Sequence, residues 1–184
     1  MTVMFDITFL GTSASVPSAD RSHPGLLVEA GGRRIMVDCG EGTQRLLQSG
    51  AGFRRLHRLL LTHGHFDHVL GIPGLFSTLR LRQSSDLMTI HGGKSTLDVV
   101  VRMLAGLWGD GRAPIPLELV PLSESRVFDA GEFTVDCFPV RHRDADSFAF
   151  SFEARARRHL QPIALRRLAS RTGRFAENWP RDGS

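Results

Sequence analysis

Cysteine is scarce: Cys39 and Cys137 are the only two in 184 residues, and they stand far apart. That fits reduced, packed thiols better than a disulfide framework, with thiolate ligation of a metal second to burial. Long apolar runs are absent too. No window approaches the length of a membrane span, and the start M-T-V-M-F-D-I-T-F-L lacks the basic opening and small-residue cleavage site of a signal peptide, so a cytoplasmic protein with no membrane partner is expected. There is no internal repeat, no low-complexity tract and no helical H-E-x-x-H motif. Charge of one sign is also thin over most of the chain. Of the formal net charge of +4, the segment from Ile163 onward holds +3, through Arg166, Arg167, Arg171, Arg174 and Arg181 against Glu177 and Asp182. Residues 1–162 therefore carry only +1, and a nucleic-acid reading must rest on a site rather than on the isoelectric point.

The length suits one domain with a real core better than two. Val3 to Leu10 alternates tolerably and reads as a strand, closed by the turn-rich G-T-S-A-S-V-P-S. Gly25 to Ala30 and Arg33 to Asp38 read as two more, joined at the Gly31-Gly32 hairpin signal. From Cys39 the chain should form a loop opening a short helix with Leu46 and Leu47 inward. Asp38 and Glu41 are placed to support a metal site from behind or, equally, to sit as carboxylates at a helix start. Beyond a strand over Leu56 to Leu61, helical spacing is reached by Leu75, Leu79 and Arg82. Met88 to His91 reads as a strand, Thr96 to Leu107 as a helix with Val99, Val100, Met103 and Leu104 inward, and Leu117 to Pro121, Glu132 to Val140 and Phe148 to Phe152 as strands. Alternating strands and helices imply an α/β fold, a sheet covered by helices.

The stretch L-T-H-G-H-F-D-H puts His63, His65, Asp67 and His68 within six positions, directly after an apolar run. Residues two apart diverge on a helix but face one way on an extended chain, so the segment should be a strand end and loop. Imidazoles with a carboxylate suit a borderline cation such as zinc, and four ligands from so short a stretch are more than the three protein ligands an open tetrahedral site takes, which suggests two metals. His142, at the end of a strand after P-V-R, is a further candidate ligand. His23, His57, His91 and His159 lack ligand-type neighbours and read as surface or packed residues.

With these residues in hand, the chain resembles ribonuclease Z, of the metallo-β-lactamase superfamily, over residues 1–162. The resemblance is carried by F-L-G-T-S-A-S-V-P at Phe9, V-D-C-G-E-G-T-Q-R at Val37, L-L-T-H-G-H-F-D-H at Leu60, G-I-P-G-L-F-S-T at Gly71 and the His142 strand. It implies an αββα sandwich with two zinc ions, one held by His63, His65 and His142, the second by Asp67 and His68. Asp67 would also take the proton of the attacking water. The implied activity is endonucleolytic removal of the 3′ trailer from tRNA precursors by a homodimer whose protruding arm grips the tRNA.

The resemblance stops near Pro162, before the family's bridging aspartate, last zinc histidine and proposed general-acid histidine. The sandwich is therefore expected to be incomplete here, with 1–162 its N-terminal part and one zinc or fewer tightly bound. Residues 163–184 are expected to be an atypical Arg-rich tail, read as a reading-frame slip or, alternatively, as an amphipathic tail helix around Ile163, Leu165 and Leu168. Two other readings stand beside this one: a non-catalytic fragment binding at most one metal, and a related hydrolase acting on another phosphodiester or ester.

Overall fold

The computed structural model describes residues 3–84, 86–109, 113–143 and 146–155. A six-stranded sheet runs in the order β1 (Asp6–Gly11), β2 (Gly25–Ala30), β3 (Arg33–Val37), β4 (Leu56–Leu60), β5 (Met88–Gly92), β6 (Leu117–Pro121). The first three strands are antiparallel, and β3 to β6 are parallel neighbours. Gly31 and Gly32 turn β2 into β3 with φ of 55° and 73°, a left-handed pair that a two-residue hairpin requires and that glycine adopts without strain.

Parallel strands need crossovers, and helices supply them: α1 (Thr43–Ser49), α2 (Phe66–Val69) with α3 (Ile72–Leu81), and α4 (Lys94–Trp108). Strand alternation sorts the apolar residues into two cores. Leu27, Met36, Leu59, Leu61 and Ile90 face the helices and pack with Leu47, Ile72, Leu75, Phe76, Val100 and Leu104. Val28, Ala30, Ile35, Val37 and Leu60 face the other way, onto Phe133 and Val135. Those two belong to a second, antiparallel sheet of β7 (Ser125–Asp129), β8 (Phe133–Val140) and β9 (Ser147–Ala154). Phe133 is fully buried, with Phe5 set edge-on at 5.5 Å. Helices, sheet and sheet thus stack as three layers of an αββα arrangement. Among the described residues no helix covers the outer face of the second sheet, and none is long and apolar enough to cross a membrane.

Several expectations are corrected. The first strand begins at Asp6 rather than Val3, and β7 was not anticipated. Asp67 and His68 sit on the helical turn α2; only His63 to His65 is non-helical, so the strand-end-and-loop reading holds for the first half of the motif alone. The expected tail 163–184 and His159 lie outside the described residues.

Candidate metal centre

The parallel strands deliver the site, because their carboxyl ends share one edge of the sheet and the loops leaving them meet there. β3 ends into Asp38, β4 into Thr62 and His63, and β5 into Gly93, which opens α4. From the second sheet, β8 runs out to His142, and β9 is tied to the first sheet by the Phe148 amide donating to the Thr62 carbonyl at 2.8 Å. Gly64 lets α4 close on the histidine turn, since a Cβ there would come within 3.2 Å of Thr96 Cα.

Three imidazoles converge at this edge. His63 Nε2 lies 3.0 Å from His65 Nδ1, and His142 Nε2 lies 3.3 Å from that same atom. One nitrogen from each ring falls in a cluster no wider than 4.8 Å. The burial is graded: His63 is buried, His65 half-buried and His142 exposed, so the cluster is open on one side. Asp67 and His68 form a neighbouring pair, His68 Nε2 3.7 Å from Asp67 Oδ2. The His68 ring packs 4.0 Å from that of His63. Among the described residues no third side chain joins that pair to make a second three-membered cluster.

Behind the imidazoles stands Asp38. Its Oδ1 accepts the Thr62 amide at 2.8 Å, both its oxygens lie within 3.0 Å of the Thr62 hydroxyl, and Oδ2 is 2.8 Å from His68 Nδ1. With its one proton given to Asp38, the Thr62 hydroxyl accepts from His63 Nδ1–H at 3.0 Å. That fixes the tautomers: His63 and His68 carry their protons on Nδ1 and turn bare Nε2 lone pairs into the site. Burial, together with the neighbouring His68, pushes His63 down to about 4, so its imidazole is neutral near neutral pH. Burial alone would lower His68 as well, but the Asp38 hydrogen bond and the Asp38 and Asp67 charges outweigh it and raise it. Burial works to raise Asp67, yet the Ser15 amide, donating to Oδ2 at 2.9 Å, and His68 hold its carboxyl below the usual range.

The donor set passes the chemical test for a metal. Tetrahedral zinc at about 2.0–2.1 Å from each nitrogen sets its ligand nitrogens roughly 3.3 Å apart. The spacings of 3.0 and 3.3 Å are of that size. Three converging lone pairs repel unless a cation or proton lies among them. Cys39 contributes nothing here, being fully buried, with burial and Asp38 raising its thiol far above the usual range. Glu41 is exposed on the turn before α1.

Three supporting groups were not anticipated. The Thr62 hydroxyl and the Ser15 amide both lie inside the quoted motifs, where adjacency to His63 was the available signal for Thr62. Asp146 lies far along the chain and caps α4 from outside, accepting from Ser95 N at 2.9 Å, from the Ser95 hydroxyl, and from Thr96 Oγ1 at 3.0 Å.

Known proteins share this architecture. A family model described as "Anti-Pycsar protein Apyc1" matches residues 5–157. A ribonuclease Z of Bradyrhizobium diazoefficiens is 75% identical over 166 residues, which are 90% of this chain and 55% of that protein. A ribonuclease Z of Archaeoglobus fulgidus is 34% identical over 141 residues, covering 76% of this chain and 45% of the relative. The chain thus spans about half the length of the curated relatives it matches. Among solved structures, human tRNase Z, short form, superposes with a TM-score of 0.66 at 28% identity over 82% of this chain and 65% of that one. The metallo-β-lactamase fold protein YhfI of Bacillus subtilis has the same TM-score at 20% identity, over 83% of this chain and 58% of that one, and shows the fold alone. The chain belongs to the family described as Anti-Pycsar protein Apyc1, has the metallo-β-lactamase fold, and is a close relative of ribonuclease Z over the part they share.

Proposed function

We propose that the chain is the ligand-bearing part of a metal-dependent endoribonuclease that removes the 3′ trailer from tRNA precursors, with zinc as the metal. The observation that carries this is the convergence of His63, His65 and His142 in front of the Asp38–Thr62 brace. These three would hold the first cation, and Asp67 with His68 would contribute to a second. Bound there, the metal supplies positive charge that polarises a phosphoryl oxygen and acidifies water. Asp67, pinned through Oδ2 by the Ser15 amide, has its other oxygen to receive the proton of the attacking water. The water oxygen bonds to phosphorus as the bond to the 3′ oxygen breaks, and the departing 3′ oxygen takes its proton from solvent, leaving a 3′-hydroxyl on the tRNA and a 5′-phosphate on the trailer. Free, buried Cys39 and Cys137 are consistent with the reducing cytoplasm we assign to it.

Two measurements test the reading. Chelator-treated chain reloaded with zinc should hold about one ion or fewer, and His63→Ala should abolish binding. Residues 5–155 exchanged into the Bradyrhizobium ribonuclease Z should support zinc-dependent cleavage of a tRNA precursor, lost on His142→Ala. A chimera that folds, binds zinc and leaves the precursor intact refutes the assignment.

A further inference from the structure

At the end of the sheets opposite the histidines lies a cleft of 360 Å³ walled by Gly31, Gly32, Arg33, Arg34, Ile35, Arg55, His57, Arg58 and Phe128. Every ionisable residue in that wall is basic. At about 3.3 Å per strand residue, Arg58 and His63 are roughly 16 Å apart along the path of β4, so this is a separate place from the metal centre.

The arginines differ in what occupies them. Arg34 is committed to the fold, with Nε 2.9 Å from Glu29 Oε1 and both terminal nitrogens donating to the carbonyls of Ala51, Gly52 and Arg54. Arg58 is held in place: its guanidinium lies 4.5 Å over the Phe128 ring, and Nη1 donates to His91 Nε2 at 3.1 Å. Burial and the nearby Arg33 lower Arg58, with Glu118 offsetting part of this, so two like charges share the cleft. Arg33 and Arg55 make no ion pair with any described carboxylate. The Arg55 guanidinium hangs over the hairpin, where a Cβ on Gly32 would meet its Nη1 at 3.9 Å. The acidic groups nearby are not among the lining residues: Glu29 is with Arg34, Asp86 is 3.9 Å from the wall's His57, Glu118 accepts from Thr89, and Glu132 reaches the rim at Gly31, where a Cβ would meet its Oε2 at 2.6 Å.

Two guanidiniums unpaired among the described residues, beside a third that is already oriented, in a concave wall whose own ionisable residues are all basic, form a receptor for a multiply charged oxyanion. We propose that this cleft binds phosphate groups, gripped by Arg33 and Arg55 with Arg58 as a fixed floor. The phosphate could be free, as in pyrophosphate or a nucleotide, or belong to an RNA backbone. This inference goes beyond the proposed cleavage reaction and does not depend on it.

The test is titration calorimetry on the full chain in chelator-containing buffer, so that no cation at the histidine cluster recruits the anion. The probes are inorganic pyrophosphate, adenosine monophosphate, a short RNA and the dicarboxylate succinate. Pyrophosphate should saturate one site, and Arg33→Gln/Arg55→Gln should weaken it about tenfold or more, with the melting temperature unchanged. Arg80→Gln, an exposed arginine on α3, should leave binding as it was. RNA that competes with pyrophosphate and binds more tightly at low salt makes the backbone the source, whereas RNA that is no tighter makes it a free phosphate. The proposal is overturned if succinate matches pyrophosphate, if Arg80→Gln weakens binding as much as the cleft variant, or if pyrophosphate does not bind.

Discussion

Asp38 Oδ2 lies 2.8 Å from His68 Nδ1, and through Thr62 the same carboxylate also orients His63. One buried side chain thus sets the tautomer of two imidazoles on a turn that could otherwise present either nitrogen. Asp38 has a φ of 59°, a left-handed setting that asparagine tolerates as well as aspartate. Asp38→Asn should therefore keep the backbone while removing the acceptor that His68 needs. Zinc affinity, read by competition with a coloured chelator, should fall about 10–100-fold, with the melting temperature shifting little. Equal affinity in variant and parent would remove Asp38 from the account.

A second brace reaches the exposed member of the trio. Asp146, four residues past His142, accepts three hydrogen bonds from the start of α4 and ties that segment to the helix beside Gly64. Asp146→Ala should cost about 1 kcal/mol as a lost helix cap. It should also weaken zinc binding by loosening His142. Placed on top of His142→Ala, it should add almost nothing further to the loss of affinity. Fully additive losses would show that Asp146 acts on stability alone.

These braces mark where the sequence stops being readable. His63, His65 and His142 can be singled out because strand alternation and a strand terminus are local patterns, and β2 can be bounded to the residue because glycines close the hairpin after it. Extending the same alternation to Asp67 and His68 fails: the chain turns helical at Phe66, with Gly71 pressed against the Gly40 carbonyl. β7, with the sequence S-R-V-F-D, is short and partly exposed, and its pairing with β8 is a tertiary fact. Asp146 meets Ser95 and Thr96 from some fifty positions away, a contact no local spacing encodes.

Gly40 tests the packing under Asp67. A Cβ there would lie 2.2 Å from the Asp67 carbonyl oxygen and 2.4 Å from His23 Cβ, closer than atoms can approach. At Gly50 a Cβ would meet nothing nearer than the Leu46 carbonyl oxygen at 3.6 Å, an ordinary contact. Gly40→Ala should destabilise the chain by about 1–3 kcal/mol or more through overpacking. Gly50→Ala should stay within about 0.5 kcal/mol of the parent. Urea midpoints compare the two directly, and similar small effects would contradict the close approach at Gly40.

His91 makes stability depend on pH in a defined direction. It is 3% exposed; Nε2 accepts from Arg58, and among the described residues Nδ1 has no hydrogen-bond partner. Burial first, then the Arg58 charge, bring it down to about 4. Arg33 and Glu118 in turn face that arginine, the first lowering it and the second raising it. In the unfolded chain the ring titrates near 6.5. Between these two values the unfolded state binds a proton that the fold refuses. The contribution of His91 is therefore fully present above about 6.5 and is lost as pH falls towards 4, a range worth roughly 3 kcal/mol. Glutamine keeps an acceptor for Arg58 but does not titrate. Against the parent, His91→Gln should lose less stability on acidification, so that the two urea-midpoint curves converge from pH 7 towards pH 4. His63, also lowered to about 4, adds the same slope to both proteins in chelator and cancels in the comparison. Parallel curves for parent and variant would show that His91 takes up its proton without opposing the fold.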